Sequence, residues 1–503
     1  MKKIFLFLIL ICSTVLAEGP LFIHKDQFSQ QEYDNIYQDV RSVKNKVSNL
    51  FLNVKDYGAK GDGISDDTFA IQSAFNAALP GTTILIPGAT YFFSSPLKLS
   101  NYDNVTISGY GAILKLKNSS NCDLMTSYNY PSSGGGQRPR ILGLTIDGNS
   151  SNNTGSGSVV FYGIHGGIAQ DMVVQNGQGV GYFFIGCSTW IVSNCSAFGM
   201  VASGFCAYNG CHNIHFLNCN GIKNAPNFLL EGLEVNGQLK STGLRINGGN
   251  AIDAALGQAN IQVFDGVEDF SIIGMRIRGS SGRGIDVYSG ATGALTGANI
   301  LPNKNGVISN NNISNNSSSE GIKIWDGGSG GIGANNILIT GNRVYDDQTV
   351  PTQTYGIVLQ SSANYITVSG NDVKGNGDPN NNILVGAGVN INGIVFNNAG
   401  DTNATSQTKF ITSMVDSSST TVANSDTPIA FVTIINDLGY MAGVALRGGF
   451  NATAIGFDGS AQFSTTAGTA NKTNVFYNAS IGKYQIENKT GGTRNYSIFY
   501  YKQ

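Results

Sequence analysis

Short apolar segments that end in asparagine recur along this 503-residue chain, and this repeat limits its fold more than any other feature. The segments end at Asn194, Asn218, Asn310, Asn342 and Asn371. They recur at intervals of about 24 to 37 residues, the length of one coil of a β-solenoid. Because one coil cannot bury its apolar side alone, stacked coils must share a continuous core. The repeat therefore predicts a solenoid, with asparagine at corners that need a left-handed bend.

The composition favours strands and excludes several functional classes. The chain has 66 glycines and 11 prolines without a Gly-X-Y period, which excludes collagen. Charged residues make up 12% of the chain, and 30 basic against 32 acidic residues leave a net charge of −2. That balance lacks the basic field that nucleic-acid binding requires. Hydrophobic residues at 41% can still form a large core, so we expect an all-β protein that does not bind nucleic acid.

Residues 1–17 have the pattern of an export signal. Lys2 and Lys3 precede an apolar run, and Ala17 is a small residue at the expected cleavage point. An apolar run of about 12 residues is too short for a membrane anchor. We therefore expect a secreted, extracellular or cell-surface protein with no membrane span after removal of the signal.

Five cysteines lie close together in the middle of the chain, at Cys187, Cys195, Cys206, Cys211 and Cys219. The chain has no C-x-x-C pair, and its four histidines match no zinc spacing, so no metal cluster is expected. Export would permit disulfides. Alternatively, the thiols fill stacked core positions as small hydrophobic groups, and we favour this interpretation.

Residues 18–50 differ from the repeats and form a predicted helical segment. Apolar residues from Tyr33 to Leu50 follow one another at three- and four-residue steps, with polar residues elsewhere. Such a stripe either docks on another molecule or packs on its own chain.

A glycine- and aspartate-rich loop leads from this segment into the repeats. Residues 54–68 contain Asp62, Asp66 and Asp67 between glycines, and apolar residues at helical spacing follow, which predicts a helix at about 66–79. This run resembles the opening of the pectin-lyase-like, right-handed parallel β-helix proteins. They include pectate-lyase-type enzymes, polygalacturonase-like glycosidases and bacteriophage tailspike depolymerases. The resemblance implies the fold without selecting an activity, and the three aspartates are interpreted as turn and cap residues.

The predicted fold class is therefore all-β: a right-handed parallel β-helix over residues 51–400, with an N-terminal capping helix and a C-terminal β-sandwich-like domain at 401–503. After about residue 402 the repeat gives way to ordinary alternating strands. These strands are similar to the terminal domains of tailspikes. That similarity implies a homotrimer, with virion association as the alternative location.

Four glycine-led strands offer a candidate site. They begin at Gly232, Gly284, Gly321 and Gly356, and alternation sends their aliphatic residues to the core. If the strands are in register, the other face carries two columns in solvent. The first column holds Glu234, Asp286 and Lys323; the second holds Asn236, Tyr288, Trp325 and Gln360.

Aromatic faces beside carboxylates and amides suit a polysaccharide. Our first hypothesis is a glycoside hydrolase in which Glu234 and Asp286 act as acid and base, with Asp326 as a third candidate. The second is a lyase on uronic-acid polymers, in which Lys323 or Arg283 abstracts a proton. No cofactor is expected for the hydrolase, whereas a lyase could use Ca²⁺. The third is a glycan-binding adhesin without catalysis.

Overall fold

The computed structural model describes residues 29–99, 103–128, 138–232, 240–289, 301–317, 320–326, 333–360, 363–378 and 382–386, and beyond these mainly the strands between 394 and 502. The predicted export signal at 1–17 lies outside the described residues. Contacts between residues divide the chain into two compact units. The first comprises residues 1–206 and 214–219, and the second comprises 207–213 and 220–503. The predicted domain limits stay a prediction.

Within the part of the chain that the structure describes, two α-helices and two short 3₁₀ helices accompany the strands. Helix α1 is Gln30–Leu50, helix α2 is Thr68–Ala77, and the 3₁₀ helices are Val54–Tyr57 and Ser150–Asn152. Among the described residues, no helix has the length and apolarity needed to cross a membrane.

The strands up to residue 222, in chain order, are β1 Phe51–Asn53, β2 Asp62–Asp66, β3 Thr83–Leu85, β4 Thr90–Phe93, β5 Leu97–Lys98, β6 Thr106–Ser108, β7 Ile113–Leu116, β8 Met125–Tyr128, β9 Arg140–Leu142, β10 Thr145–Asp147, β11 Val159–Tyr162, β12 Ile168–Gln170, β13 Val173–Gln175, β14 Tyr182–Ile185, β15 Ser188–Ser193, β16 Ser196–Phe198, β17 Phe205–Tyr208 and β18 His212–Ile222. The strands from 228 to 396 are β19 Phe228–Glu231, β20 Ser241–Thr242, β21 Arg245–Ile252, β22 Ile261–Phe264, β23 Val267–Glu268, β24 Ser271–Ile273, β25 Arg276–Arg278, β26 Ile285–Tyr288, β27 Lys304–Ser309, β28 Asn312–Ser314, β29 Glu320–Trp325, β30 Asn335–Thr340, β31 Arg343–Tyr345, β32 Tyr355–Leu359, β33 Asn364–Ser369, β34 Ile383–Val385 and β35 Ile394–Phe396. The C-terminal strands are β36 Thr412–Met414, β37 Ser419–Asn424, β38 Ala430–Asn436, β39 Met441–Leu446, β40 Thr453–Phe457, β41 Phe463–Ser464, β42 Thr473–Asn478, β43 Lys483–Asn488 and β44 Arg494–Lys502.

The aspartates of the opening loop shape turns, as expected. Asp62 accepts hydrogen bonds from the backbone N–H groups of Ile64 and Ser65 at 2.9 and 2.7 Å. Asp67 accepts from the N–H groups of Lys60 and Gly61 at 2.6 and 3.0 Å. Helix α2 follows, and its apolar face is buried. The loop is therefore a structural lead into the capping helix.

Both units are built from parallel strands that stack coil upon coil. In the first unit, Ile168 of β12 pairs with Ile191 of β15, 23 residues further on. In the second unit, Ile285 of β26 pairs with Ile322 of β29, 37 residues further on. These separations confirm the predicted coil length. The protein has the predicted fold, a right-handed parallel β-helix.

The asparagines of the repeat occupy two structural positions rather than one. Asn310 adopts the left-handed region itself, with φ +55°. In the next coil Gly341 takes that conformation, with φ +67°, and Asn342 is buried. Side-chain amides then form a ladder, in which Asn311 donates to Asn342 and Asn342 donates to Asn371, each at 2.9 Å. The ladder satisfies polar groups inside the coil, where an unpaired amide would be costly.

Aromatic side chains and thiols fill the core of the first unit. Phe161 lies 4.7 Å from Trp190 and 5.1 Å from Phe184, between ring centroids. The five clustered cysteines are all buried, and none of them forms a disulfide. This confirms the interpretation that they act as small core residues.

The C-terminal strands form two sheets. One has the order β36-β44-β38-β39-β40, and the other has the order β37-β43-β42-β41. Neighbouring strands pair in antiparallel fashion, except β41 with β42. This is the predicted all-β, sandwich-like arrangement, which differs from the parallel coils before it.

Candidate functional site

The candidate site lies on one parallel sheet of the second unit. Ile285, Ile322 and Ile357 pair in register across β26, β29 and β32. These residues are fully buried, which confirms the predicted core face. The opposite face carries Asp286 beside Lys323 and Tyr288 beside Trp325, also as predicted.

The first of the four predicted strands begins at Gly232, and its residues beyond that glycine lie outside the described residues, so its register stays a prediction. In the described chain the two columns continue into β19, Phe228–Glu231, through Leu229 and Glu231. A further strand, β22, lies between β19 and β26 and contributes Gln262 and Phe264. Glu234 and Asn236 lie outside the described residues, and their roles stay predictions.

The first polar column is buried, although alternation had placed it in solvent. Asp286 is 3% exposed and Lys323 is 7% exposed. Burial of these charges is tolerated because each has a partner of opposite charge. The expectation of a solvated column was therefore wrong. Alternation determines that these side chains point away from the core, but it does not determine whether other side chains cover them.

A charge-balanced network surrounds Asp286. Arg283 donates to Oδ2 of Asp286 at 2.9 Å, and the indole Nε1 of Trp325 donates to Oδ1 at 2.8 Å. Lys323 donates to Glu320 at 3.0 Å, and Nε of Arg283 lies 3.3 Å from Glu320. Both carboxylate oxygens of Asp286 are thus engaged. Burial raises the pKa of Asp286, while the charge of Arg283 opposes that rise.

Aromatic rings form the second column. The ring centroids of Phe264 and Tyr288 are 4.5 Å apart, and those of Tyr288 and Trp325 are 5.8 Å apart. Two cations lie over Trp325, with Arg283 at 5.1 Å and Lys323 at 4.5 Å from the ring centroid. Burial raises the pKa of Tyr288, and the negative charges of nearby carboxylates add to the rise.

Glu231 begins this aromatic column. It pairs in register with Phe264, which in turn pairs with Tyr288. Its side chain is buried, and burial together with the negative charge of Asp265 raises the pKa of Glu231 to about 7. Asp265 follows Phe264 at a left-handed bend, and its carbonyl accepts the N–H of Gly232 at 2.8 Å. The two carboxyl groups therefore stand on neighbouring coils.

From the sequence, Glu234 is proposed as a catalytic residue, whereas none of Glu231, Asp265 and Glu320 is named as one. The available signal was an acidic residue that directly follows an apolar strand and precedes glycine. This signal holds for Glu231, which precedes Gly232, and for Asp265, which follows the unrecognised strand β22 and precedes Gly266.

The remaining candidates lie at strand ends. Asp326 is buried directly after β29. The N–H of Gln360 donates to the carbonyl of Ile324 at 2.9 Å, and its side chain is half-buried. Asp346 accepts from the N–H groups of Thr352 and Gln353, each at 2.8 Å, in the manner of a structural loop. Within the described part of the chain, no three or more histidine, cysteine or acidic residues are grouped to hold a metal ion.

Comparison with known proteins agrees with the fold. Residues 51–141 match the family described as rhamnogalacturonase A/epimerase, pectate lyase-like. This match and the parallel sheets confirm the resemblance to pectin-lyase-like β-helix proteins.

Individual relatives match only parts of the chain. The pre-neck appendage protein of Bacillus phage phi29 is 27% identical over 140 residues, which are 27% of this chain and 16% of that protein. The mannuronan C5-epimerase AlgE4 of Azotobacter vinelandii is 35% identical over 134 residues, 24% of each chain. The plasmin and fibronectin-binding protein A of Streptococcus pneumoniae is 36% identical over 92 residues, 17% of this chain and 13% of that protein. The chain thus spans under a quarter of the length of each relative. The A-module structure of AlgE4 has a TM-score of 0.43 and 21% identity, over 68% of this chain and 100% of that one.

Proposed function

We propose that the protein is a glycoside hydrolase acting on an extracellular or cell-surface polysaccharide, with Glu231 as the general acid. One observation supports this most strongly. Glu231 is a buried carboxyl group with a pKa of about 7, at the start of an aromatic column. The roles predicted for Glu234 and Asp286 are retained as alternatives to be tested beside it.

Glycoside hydrolysis needs one protonated and one ionised carboxyl group. At and below neutral pH, Glu231 retains the proton that the leaving glycosidic oxygen must receive. Asp265 bears a negative charge on the neighbouring coil and is the partner carboxylate in this proposal. It would accept a proton from the attacking water, and the two carboxyl groups would then exchange their protons with solvent. Asp286, with both oxygens engaged, positions Trp325 and Arg283.

The aromatic column supplies a surface for the sugar ring. Tyr288 and Trp325 are half-buried, so part of each ring stays accessible. Aromatic faces pack against the apolar side of a pyranose, while amide and charged groups can satisfy its hydroxyls. Gln262 and Gln360 are such amide groups beside the column.

The lyase on uronic-acid polymers is the second candidate, supported by the partial similarity to a mannuronan C5-epimerase. Its proposed base, Lys323, is held by Glu320 and by the face of Trp325, and Arg283 is held by Asp286. These contacts favour structural roles for both cations and so favour the hydrolase. A Ca²⁺ cofactor belongs to the lyase proposal alone.

The location and assembly are part of the proposal. The relatives include a phage appendage protein and a bacterial plasmin- and fibronectin-binding protein, which supports a virion or cell-surface location. The homotrimer stays a prediction from the tailspike similarity. The name of the second relative also supports the third candidate, an adhesin without catalysis, for which we propose a glycan ligand.

The experiment is incubation of the purified protein with neutral and uronic polysaccharides. New reducing ends and the ultraviolet absorbance of a new double bond are followed together. The variants are Glu231→Gln, Glu234→Gln and Asp286→Asn, with Glu268→Gln as the matched control. Glu268 is a carboxylate of the same unit that pairs with Lys240 at 2.7 Å, away from the aromatic column.

The hydrolase predicts reducing ends without the double bond, and a loss of at least about 100-fold in Glu231→Gln. A double bond in the product would support the lyase. If the wild type binds a polymer and never cleaves it, the enzyme proposal fails and the site is a recognition surface. Full activity in Glu231→Gln would remove Glu231 from the mechanism.

A further inference from the structure

Helix α1 carries an apolar seam that the proposed polysaccharide site does not use. Apolar residues stand at positions 33, 36, 40, 43, 47 and 50, in alternating steps of three and four. This spacing averages about 3.5 residues, the repeat of a coiled coil. A helix packed on its own chain would instead show a wider stripe with a period of about 3.6.

The seam has no cover within the described chain. Along α1, positions 30–43 and 50 are described, and none of these side chains is buried. Tyr33, Ile36, Val40 and Val43 are half-buried, and Leu50 is 48% exposed. An apolar row left open along a helix is typical of a surface that associates with another molecule.

The helix itself is well defined at its start. The hydroxyl of Ser29 accepts the N–H of Glu32 at 3.3 Å, and the carboxylate of Glu32 accepts the N–H of Ser29 at 3.0 Å. This reciprocal pair is a capping box. The 21 residues of α1 give a rod of about 30 Å, long enough for six seam positions.

We propose that α1 forms a parallel, in-register, three-stranded coiled coil with the α1 helices of two further copies of this chain. In the heptad, Tyr33, Val40 and Val47 occupy a positions, and Ile36, Val43 and Leu50 occupy d positions. Four of these six residues are β-branched, and β-branched residues at both a and d favour three strands over two.

The charge pattern indicates that the partner is a second copy in parallel orientation. Asp39 occupies a g position, and the sequence places Lys44 at the following e position. In a parallel, in-register assembly these positions on adjacent helices face each other with opposite charge. An antiparallel assembly would bring like positions together and lose this pairing.

This proposal identifies the surface through which three chains would associate, and it does not depend on the polysaccharide chemistry. A failed trimer would leave the hydrolase proposal intact, and an inactive enzyme would leave the trimer proposal intact. The two are measured by different experiments.

The test is the molar mass of the full chain by light scattering on a size-exclusion column. The wild type is expected at three times the chain mass of 53.0 kDa. Val40→Asp should shift the mass to that of one chain, because it places three like charges in one buried layer of the trimeric seam. Ser42→Asp adds the same charge two residues away on an exposed position and should remain trimeric.

Orientation and folding are tested separately. Val43→Cys should form disulfide-linked dimers on mild oxidation, since a parallel register brings identical positions together. Thermal unfolding of Val40→Asp should match that of Ser42→Asp, which shows that the β-helix is intact. A monomeric wild type, or a Val40→Asp variant that keeps the wild-type mass, would overturn the proposal. If the wild type is a trimer but Val43→Cys forms no disulfide crosslink, the parallel register is overturned.

Discussion

Replacing Glu231 with glutamine should stabilise the protein in a pH-dependent manner. Burial and Asp265 raise the pKa of Glu231 from its ordinary 4.5 to about 7. The folded protein therefore holds this proton more tightly than the unfolded chain does. The resulting stabilisation is complete below pH about 4.5 and is lost as the pH rises through 7. The difference in pKa corresponds to about 3 kcal/mol, at about 1.4 kcal/mol for each pKa unit.

Glutamine keeps the shape of the side chain without titrating, so the two proteins should diverge with pH. At pH 4 their melting temperatures should be similar. At pH 8.5 the Glu231→Gln variant should melt higher, by about 3 °C, because the wild type then buries a negative charge beside Asp265.

The assay is differential scanning calorimetry of both proteins from pH 4 to pH 9, with Glu268→Gln measured in parallel. Glu268 is ion-paired with Lys240, so its replacement should not raise the melting temperature at pH 8.5. A difference between wild type and Glu231→Gln that stays constant across the pH range would refute the raised pKa, and with it the physical basis for the general acid.

Three further predictions follow from the buried network, the ladder and the thiols. Asp286→Ala should lower the free energy of unfolding, measured in denaturant titrations, by about 3–5 kcal/mol, because Arg283 loses its partner. The fluorescence of Trp325 should change as well. Unchanged stability and an unchanged spectrum would contradict the network. Asn342→Ala should cost about 1–3 kcal/mol by leaving ladder partners unsatisfied, whereas Asn312→Ala, at an exposed site on β28, should cost under about 0.5 kcal/mol. Iodoacetamide at pH 8 should leave the five clustered cysteines unmodified in the native protein, because they are buried and burial raises the pKa of Cys195 to about 12. Rapid alkylation of several of these cysteines would show that the core is accessible to solvent and would contradict the prediction.

The sequence determined the architecture because the repeat and the alternation are local properties. Asparagine at the end of an apolar strand predicts a corner, and the strands led by Gly284, Gly321 and Gly356 lie in the predicted register. Their spacing sufficed because consecutive coils pair neighbouring segments of the chain. Asp286 beside Lys323 and Tyr288 beside Trp325 followed from the same alternation.

Tertiary structure decided what the repeat length left open. Coils range from 23 to 37 residues between paired positions, so the spacing alone could not reveal that β22 intervenes between β19 and β26. Stacking places Glu231 in register with Phe264 of that strand and, through Phe264, with Tyr288. The burial of Asp286 and the raised pKa of Glu231 depend on groups brought together by stacking, since both desolvation and charge act through space rather than along the chain.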